Sequence, residues 1–339
     1  MEKFYPGLAV EFARLLERLA GRTVAVVGHA RPDGDCIGSQ VALARVLGGR
    51  GLDVVCVNPD PVPRRLQFLV SGCRFLRTDE AMATSGGRAA VFVDCADHGR
   101  GGERLRALYP APVAVIDHHI SNAGYAAANL VDSVSAATCE ILAGVFLDNN
   151  VVVDAVCAQA LFTGILTDTG QFRFSSTSRR CFAIAGEMVA RGADPSTAGF
   201  ELYERETLGK LRLLQHFLAS LSLEGGGRIC IGTLSACVFE STGATGEDTE
   251  GLVDYARSIE GVDVGALIEE RADGSVKASL RAKNPAFRVD LVAAEFNGGG
   301  HACAAGLNLK TGTENFSSRL VAAMGRRLAL VDADTSRSS

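Results

Sequence analysis

Four absences narrow what this chain can be. No apolar run of roughly 18 residues occurs, so a membrane-spanning helix is not expected. Basic residues are not in excess: 34 Lys and Arg against 39 Asp and Glu leave a net charge of −5. That excludes a positive field able to hold long duplex DNA or an anionic membrane surface. A partner with one to a few phosphates stays open, because metals and a few arginines neutralise it locally. The 10 cysteines never form a Cys-x-x-Cys pair, and Cys56, Cys157 and Cys230 sit in apolar runs. Reduced, buried thiols of a cytosolic protein fit this better than a disulfide framework or a structural zinc site. Neither a Gly-x-x-x-x-Gly-Lys loop nor a Gly-x-Ser-x-Gly elbow is present. NTPase and serine-hydrolase readings therefore have no support.

What is present suffices for two domains: 339 residues, 47% hydrophobic and 22% charged. Glu2, Glu11 and Glu17 interrupt the apolar residues of the N-terminus, which predicts an amphipathic helix rather than a signal peptide. The cytoplasm is the expected location. Apolar runs at 23–28, 53–58, 89–93 and 113–116 read as buried strands, with helices at 40–48 and 103–108 between them. This alternation predicts a doubly wound parallel sheet. Helical spacing resumes at 135–147, 154–167 and 178–191, and 197–223 is mostly helical up to Glu224 and three glycines, a linker signal. The expected domains are 1–190, a helical connector and linker at 191–226, a smaller α+β domain at 227–332, and a tail at 333–339. In the second domain we expect a strand at 228–234, a helix at 248–259 and a hairpin, 264–270 with 276–281, turning on Asp273 and Gly274. Helices at 289–296 and 315–328 complete it.

The run 113–116 leads straight into Asp117, His118 and His119. That is the carboxyl end of a strand, where open α/β sheets place their ligands. Extended-chain alternation puts Asp117 and His119 on one side and His118 on the other. The equivalent position after 23–28 carries His29, Asp33 and Asp35 in a strand-to-helix loop, with Gly34 letting the two carboxylates converge. One Asp there is an ordinary helix cap. A cap requires neither a second carboxylate nor an imidazole beside it. Asp94 ends the run 89–93. Asp168 closes an otherwise apolar helix, where an unpaired carboxylate is costly, so Arg173 or a metal is its expected partner.

Together these side chains offer oxygen and imidazole donors and no thiolate. Such a set suits Mn²⁺ or Mg²⁺, and after them Fe or Co, better than structural zinc. The carboxylates are too many for one ion. Two ions about 3.5–4 Å apart, sharing one carboxylate, fit the count and point to phosphoryl chemistry. In the second domain Gly298, Gly299 and Gly300 precede His301. They read either as plain surface loop or as a close backbone approach whose amides form an anion nest, with Arg281 completing a phosphate clamp.

In chain order, His29 with Asp33-Gly34-Asp35, then Asp94, Asp117-His118-His119, Asp168 and Gly298-Gly299-Gly300-His301 resemble the DHH phosphoesterase superfamily with its DHH-associated second domain. Size and compactness look most like the oligoribonuclease (nanoRNase) and 3′-phosphoadenosine-5′-phosphate phosphatase branch. The resemblance implies a two-metal enzyme, using manganese first and magnesium or cobalt next, with its active site in the cleft between the two domains. It would degrade very short RNA to mononucleotides and convert 3′-phosphoadenosine-5′-phosphate to AMP. By the same resemblance His29 and Asp33 hold one metal, Asp35, His118 and Asp168 the other, and Asp94 bridges. His119 touches the scissile phosphate and Asp117 orients the histidines. Arg281, Gly298, Gly299, Gly300 and His301 hold the substrate's other phosphate. Partners are then short single-stranded RNA and adenosine 3′,5′-bisphosphate, with a homodimer allowed, and neither duplex DNA nor membrane. The rivals are a linear or cyclic dinucleotide phosphodiesterase of the same superfamily, an inorganic pyrophosphatase, and a non-catalytic nucleotide sensor. A sensor would have lost ligands, and none is missing.

Overall fold

Strands that are apolar throughout demand cover on both faces. The computed structural model, which describes residues 3–84, 87–310 and 314–338, supplies it. Contacts divide the chain into Met1–Arg205 and Glu206–Ser339. The first unit runs α1 Pro6–Leu19, β1 Val24–Val27, α2 Gly34–Gly48, β2 Val54–Asn58, β3 Phe75–Arg77, α3 Thr78–Thr84, β4 Ala89–Val93 and α4 Glu103–Leu108. It continues with β5 Ala114–Asp117, β6 Ala128–Val131, α5 Thr138–Asp148, α6 Ala155–Asp168, α7 Arg179–Ala190 and α8 Pro195–Gly199.

The six strands are all parallel, in the order β3-β2-β1-β4-β5-β6. Alternate strand residues part to opposite faces. Val24, Val26, Val91, Val93 and Ile116 join the core with Phe12, Leu43, Phe146 and Leu161. Ala25, Val27, Phe92 and Val115 face Ala81 of α3 and Leu105 of α4. Each fully buried side chain of this size contributes roughly 1.5–3 kcal/mol over leaving it in water. Strand order reverses between β1 and β4, so a crevice opens above their carboxyl ends. His29 and Asp94 stand there, with Asp117 one strand over.

The doubly wound sheet is thus as expected, and several local boundaries are not. α2 starts at Gly34 rather than near Gln40, because Asp33 is extended and accepts the Cys36 amide at 3.1 Å as an N-cap. Asp35 therefore lies in the first helical turn, not in the loop. β3 and β6 escape sequence reading because they are short edge strands with mixed burial. The mostly helical stretch expected over 197–223 resolves into α8, a π-helical turn at Phe200–Glu204, α9 Leu208–Ala219 capped by Thr207, and β7 Ser222–Glu224.

The glycines read as an interdomain linker instead turn β7 back onto β8 Ile229–Leu234, and all three have positive φ. Their freedom serves a tight reversal inside the second unit. That unit continues with α10 Ala236–Thr242, α11 Leu252–Ser258, β9 Val264–Glu270, β10 Val276–Ala282, α12 Val289–Ala294, β11 Gly299–His301, β12 Ala304–Leu309 and α13 Phe316–Ser338. Its sheet order is β11-β12-β10-β9-β8-β7, with β8–β9 parallel and the other neighbours antiparallel. The final helix runs past the expected end at 328, since Arg228 binds Asp332 at 2.6 Å and holds that turn in place. Among the described residues no helix is long and apolar enough to cross a membrane.

Candidate active site

The carboxyl end of β1 delivers His29, which is buried. Its Nδ1–H donates to the Ala30 carbonyl at 2.9 Å, which aims Nε2 at Asp94 Oδ2, 3.1 Å away. Asp94 follows β4 with φ +56°, a left-handed conformation that Asp tolerates better than most residues. Its other oxygen, Oδ1, lies 3.6 Å from both His118 Nε2 and His119 Nδ1 and accepts the Thr138 hydroxyl at 3.3 Å. Three histidines and a threonine thus converge on one buried carboxylate. Burial alone would raise its pKa, but the bond to His29 and the charges of the three imidazoles hold it well below the usual carboxylate range.

β5 ends at Asp117, so the two histidines stand beyond the strand, where its alternation no longer applies. Asp117 and His119 share a side as expected, with Nδ1–H donating to Asp117 Oδ1 at 2.6 Å. His118 does not point away: its ring lies 4.6 Å from that of His119. Among the described residues Asp117 bonds to His119 and to no other histidine; its second oxygen accepts from Asn122 at 2.7 Å. The Arg100 guanidinium approaches His119 Nε2 at 3.1 Å, so that nitrogen accepts.

His118 donates Nδ1–H to the Ser135 carbonyl at 3.3 Å and turns Nε2 to Asp168 at 3.2 Å. Burial would lower its pKa, yet the bond to Asp168 and the charges of Asp168, Asp94 and Asp35 push it up to about 11. Asp168, the last residue of α6, meets His118 rather than Arg173, whose Nε donates to the Gly170 carbonyl. Asp35 is fully buried and accepts the Thr138 and Cys139 amides at 2.7 and 2.8 Å, the N-terminus of α5. Burial and the charges of Asp94 and Asp168 push its carboxyl well above its ordinary value.

Close helix packing brings Asp35 and Asp168 together. A Cβ on Gly38 of α2 would meet the Ala160 carbonyl of α6 at 2.5 Å, and one on Gly34 would meet Thr167 at 2.4 Å. The small residues at 34 and 38 on one helix, and at 160 and 164 on the other, were a legible signal of this crossing.

Ligand atoms of Asp35, His118 and Asp168 lie within 4.8 Å of one another, as do those of His29, Cys36 and Asp94, and of Asp94, His118 and His119. Asp33 is looser: its Oδ1 is 3.9 Å from His29 Nε2 and already serves as the helix cap. Cys36 enters where no thiol was expected; burial pushes it up, so it stands there as neutral S–H. Asp35, Asp94 and Asp168 lie close enough for their charges to repel, and among the described residues the ion-pair partners of all three are histidines. Divalent ions fit this oxygen-rich donor set, since they relieve the mutual repulsion of those carboxylates.

In the second unit, Arg281 of β10 donates to the Leu280 carbonyl at 3.1 Å and, among the described residues, makes no ion pair. Burial lowers its pKa, opposed by Asp254. Arg257, unremarked in the sequence, pairs with Asp254 at 3.0 Å and keeps a buried Nε without a partner among the described residues. Gly299 and Gly300 open the strand β11 and Gly298 directly precedes it, so the triplet is not a loose loop. A Cβ on Gly298 would meet the Gly306 carbonyl at 2.5 Å, and one on Gly300, at φ +148°, the Ala304 carbonyl at 2.4 Å, so both are required by packing on β12. A Cβ on Gly299 would meet nothing. The side chain of His301 lies outside the described residues.

Residues 23–169 match the N-terminal domain of the DHH family, and residues 226–329 match the DHHA1 domain. Over 298 residues the chain is 31% identical to the bifunctional oligoribonuclease and PAP phosphatase NrnA of Thermus thermophilus, covering 88% of this chain and 87% of that one. Among solved structures, an exopolyphosphatase-related protein of Bacteroides fragilis superposes with a TM-score of 0.87 at 23% identity, over 96% of this chain and 97% of the other. Exonuclease RecJ bound to manganese superposes at 0.54 with 15% identity, over 94% of each chain. The two structural likenesses establish the fold.

Proposed function

The chain belongs to the DHH family, and on that premise we propose that it is a two-metal phosphoesterase acting on very short RNA and on 3′-phosphoadenosine-5′-phosphate. One observation carries the reading: three buried or half-buried carboxylates and three histidines meet above the reversal of strand order, in overlapping groups whose ligand atoms lie within 4.8 Å of one another. The relative from Thermus thermophilus, named for both activities, supplies the substrate classes. We assign His29, Asp33, Asp35, His118 and Asp168 to two divalent ions, with Asp94 between them. Manganese is our preferred metal, on the donor set and on the manganese-bound RecJ neighbour. When bound, the ions neutralise phosphate charge and acidify water.

The protein's own part follows from its contacts. Asp117 fixes the His119 ring through Nδ1–H and leaves Nε2 beside Arg100; with a phosphate in place, Nε2 would take a proton so that it and the Arg100 guanidinium both donate to the phosphate oxygens. The Thr138 and Cys139 amides fix the orientation of the Asp35 carboxylate, which is thereby held in place for the ions. Arg281, the exposed Gly299 with its glycine neighbours Gly298 and Gly300, and His301 would hold the substrate's second phosphate. A net charge of −5 offers no track for a long strand, which favours short substrates. All ten cysteines are free, which supports a reducing, cytoplasmic setting. The test supplies Mn²⁺ with labelled dinucleotide, a 24-mer RNA and the bisphosphate. Faster turnover of the 24-mer than of the dinucleotide would overturn the short-substrate assignment.

A further inference from the structure

A second, half-buried charge network lies beside the metal-ligand cluster, and the chemistry above makes no use of it. At its centre is Arg180 of α7. Its Nη2 donates to Asp132 Oδ2 at 2.9 Å and to Ser135 Oγ at 3.1 Å, and its Nε donates to Glu140 Oε1 at 3.0 Å. The guanidinium lies 4.2 Å from the centre of the Tyr5 ring, and the Tyr5 and Ser135 hydroxyls are hydrogen-bonded at 2.7 Å. Glu140 is fully buried and its other oxygen accepts the Ala136 amide at 2.7 Å. Asp148 in turn accepts the Phe4 and Tyr5 amides at 2.9 and 2.6 Å, which anchors the ring that Arg180 covers. One planar cation therefore ties α7, the N-terminal segment and both ends of the stretch 132–140 together.

That stretch, between β6 and α5, supplies none of the proposed ligands and yet touches three of them. The Ser135 carbonyl sets the His118 ring, the Thr138 and Cys139 amides hold Asp35, and the Thr138 hydroxyl reaches Asp94. His29 and Asp33, by contrast, bond to Ala30, Asp94 and the Cys36 amide and not to this stretch. We propose that Arg180 is a positioning residue for the cation site formed by Asp35, His118 and Asp168, acting through the 132–140 stretch. The assignment rests on the two-cation reading above. It predicts unequal damage: disturbing Arg180 moves Ser135, Thr138 and Cys139, and so loosens one ion while sparing the other. Lysine cannot replace it, because a single ammonium lacks the fork that reaches Asp132, Ser135 and Glu140 at once.

The test titrates Mn²⁺ into metal-free wild type, Arg180→Lys and Tyr5→Phe, following free Mn²⁺ by electron paramagnetic resonance. Dinucleotide kinetics are measured in parallel. We expect two sites in the wild type. In Arg180→Lys one site weakens by roughly 10–100-fold, the range for contacts that orient a metal ligand, and the other keeps its affinity. Its kcat falls at limiting Mn²⁺ and recovers at saturation, with KM unchanged; Tyr5→Phe moves the same way by less. Should Arg180→Lys not fold, the double variant Arg180→Met, Glu140→Gln removes the ion pair without stranding Glu140 and carries the same expectation. Wild-type affinity at both sites, with only the melting temperature lowered, would make the network purely structural and overturn the assignment. Fewer than two ions in the wild type would instead overturn the two-cation reading itself.

Discussion

Replacing Asp94 by Asn and, separately, by Ala divides what its charge does from what its backbone does. The residue sits at φ +56°. Asn adopts that left-handed region readily, whereas other L-residues lose roughly 1–2 kcal/mol there. Asn also keeps an oxygen for the Thr138 hydroxyl, which approaches at 3.3 Å. Both substitutions remove the charge that His29, His118 and His119 share, so both should lower kcat on a dinucleotide by at least about 100-fold. Only Ala adds backbone strain, and only Ala leaves the Thr138 hydroxyl unanswered. The metal-free Ala variant should melt roughly 2–8 °C below the Asn variant, at 2–4 °C per kcal/mol for a unit of this size. Calorimetric melts of both metal-free proteins, with Mn²⁺-dependent turnover, measure the two effects. Equal melting of the two variants, or an Asn variant within tenfold of wild-type rate, would refute the reasoning.

A pH dependence follows from Asp168, whose carboxyl burial pushes up to about 6 in spite of the bond to His118. A folded pKa above the unfolded one means that the folded chain holds the proton more tightly, so metal-free stability falls as pH rises from about 4 to about 6. Urea melts of wild type against Asp168→Asn across that window should show the variant gaining about 3 kcal/mol on the wild type, and saturating Mn²⁺ should erase the gain; parallel curves would refute it. Gly38→Ala forces a Cβ to within 2.5 Å of the Ala160 carbonyl, which should destabilise the first unit by about 1–3 kcal/mol and weaken Mn²⁺ binding together. Unchanged metal affinity in a folded variant would separate helix packing from the site. Arg281→Ala and His301→Ala should each raise KM for the bisphosphate while sparing kcat, whereas Arg100→Gln should lower kcat; an equal effect on kcat from all three would contradict the division of roles.

Much of this site was legible because its residue types are expensive anywhere else. Carboxylates and imidazoles directly after apolar strands, as at His29, Asp94 and Asp117, have few structural uses, and parallel sheets gather strand ends at one edge. The α2 boundary was misplaced because Asp33 acts as cap and Asp35 enters the helix, and neither role changes the local composition. Cys36 escaped because a buried thiol reads as core until its neighbours are known. Arg100 and Arg180 escaped because an arginine near a strand or at a helix start is common, and only its partners distinguish it. The glycines at 225–227 misled for the same reason: a hairpin turn and a linker ask for the same backbone freedom.

By itself the sequence determined four strands of the first sheet, β1, β2, β4 and β5, its parallel class and the acidic and imidazole residues that crowd its edge. Periodicity and side-chain chemistry are local properties, and they survive without coordinates. Only the tertiary structure decided which of those residues meet. Strand order placed β1 beside β4, and glycine-lined helices let Asp35 approach Asp168. A stretch with no proposed ligand of its own bonds to His118, Asp35 and Asp94, and its bonds to Asp35 and Asp94, 44 to 104 residues away in the chain, depend on packing that no local pattern encodes.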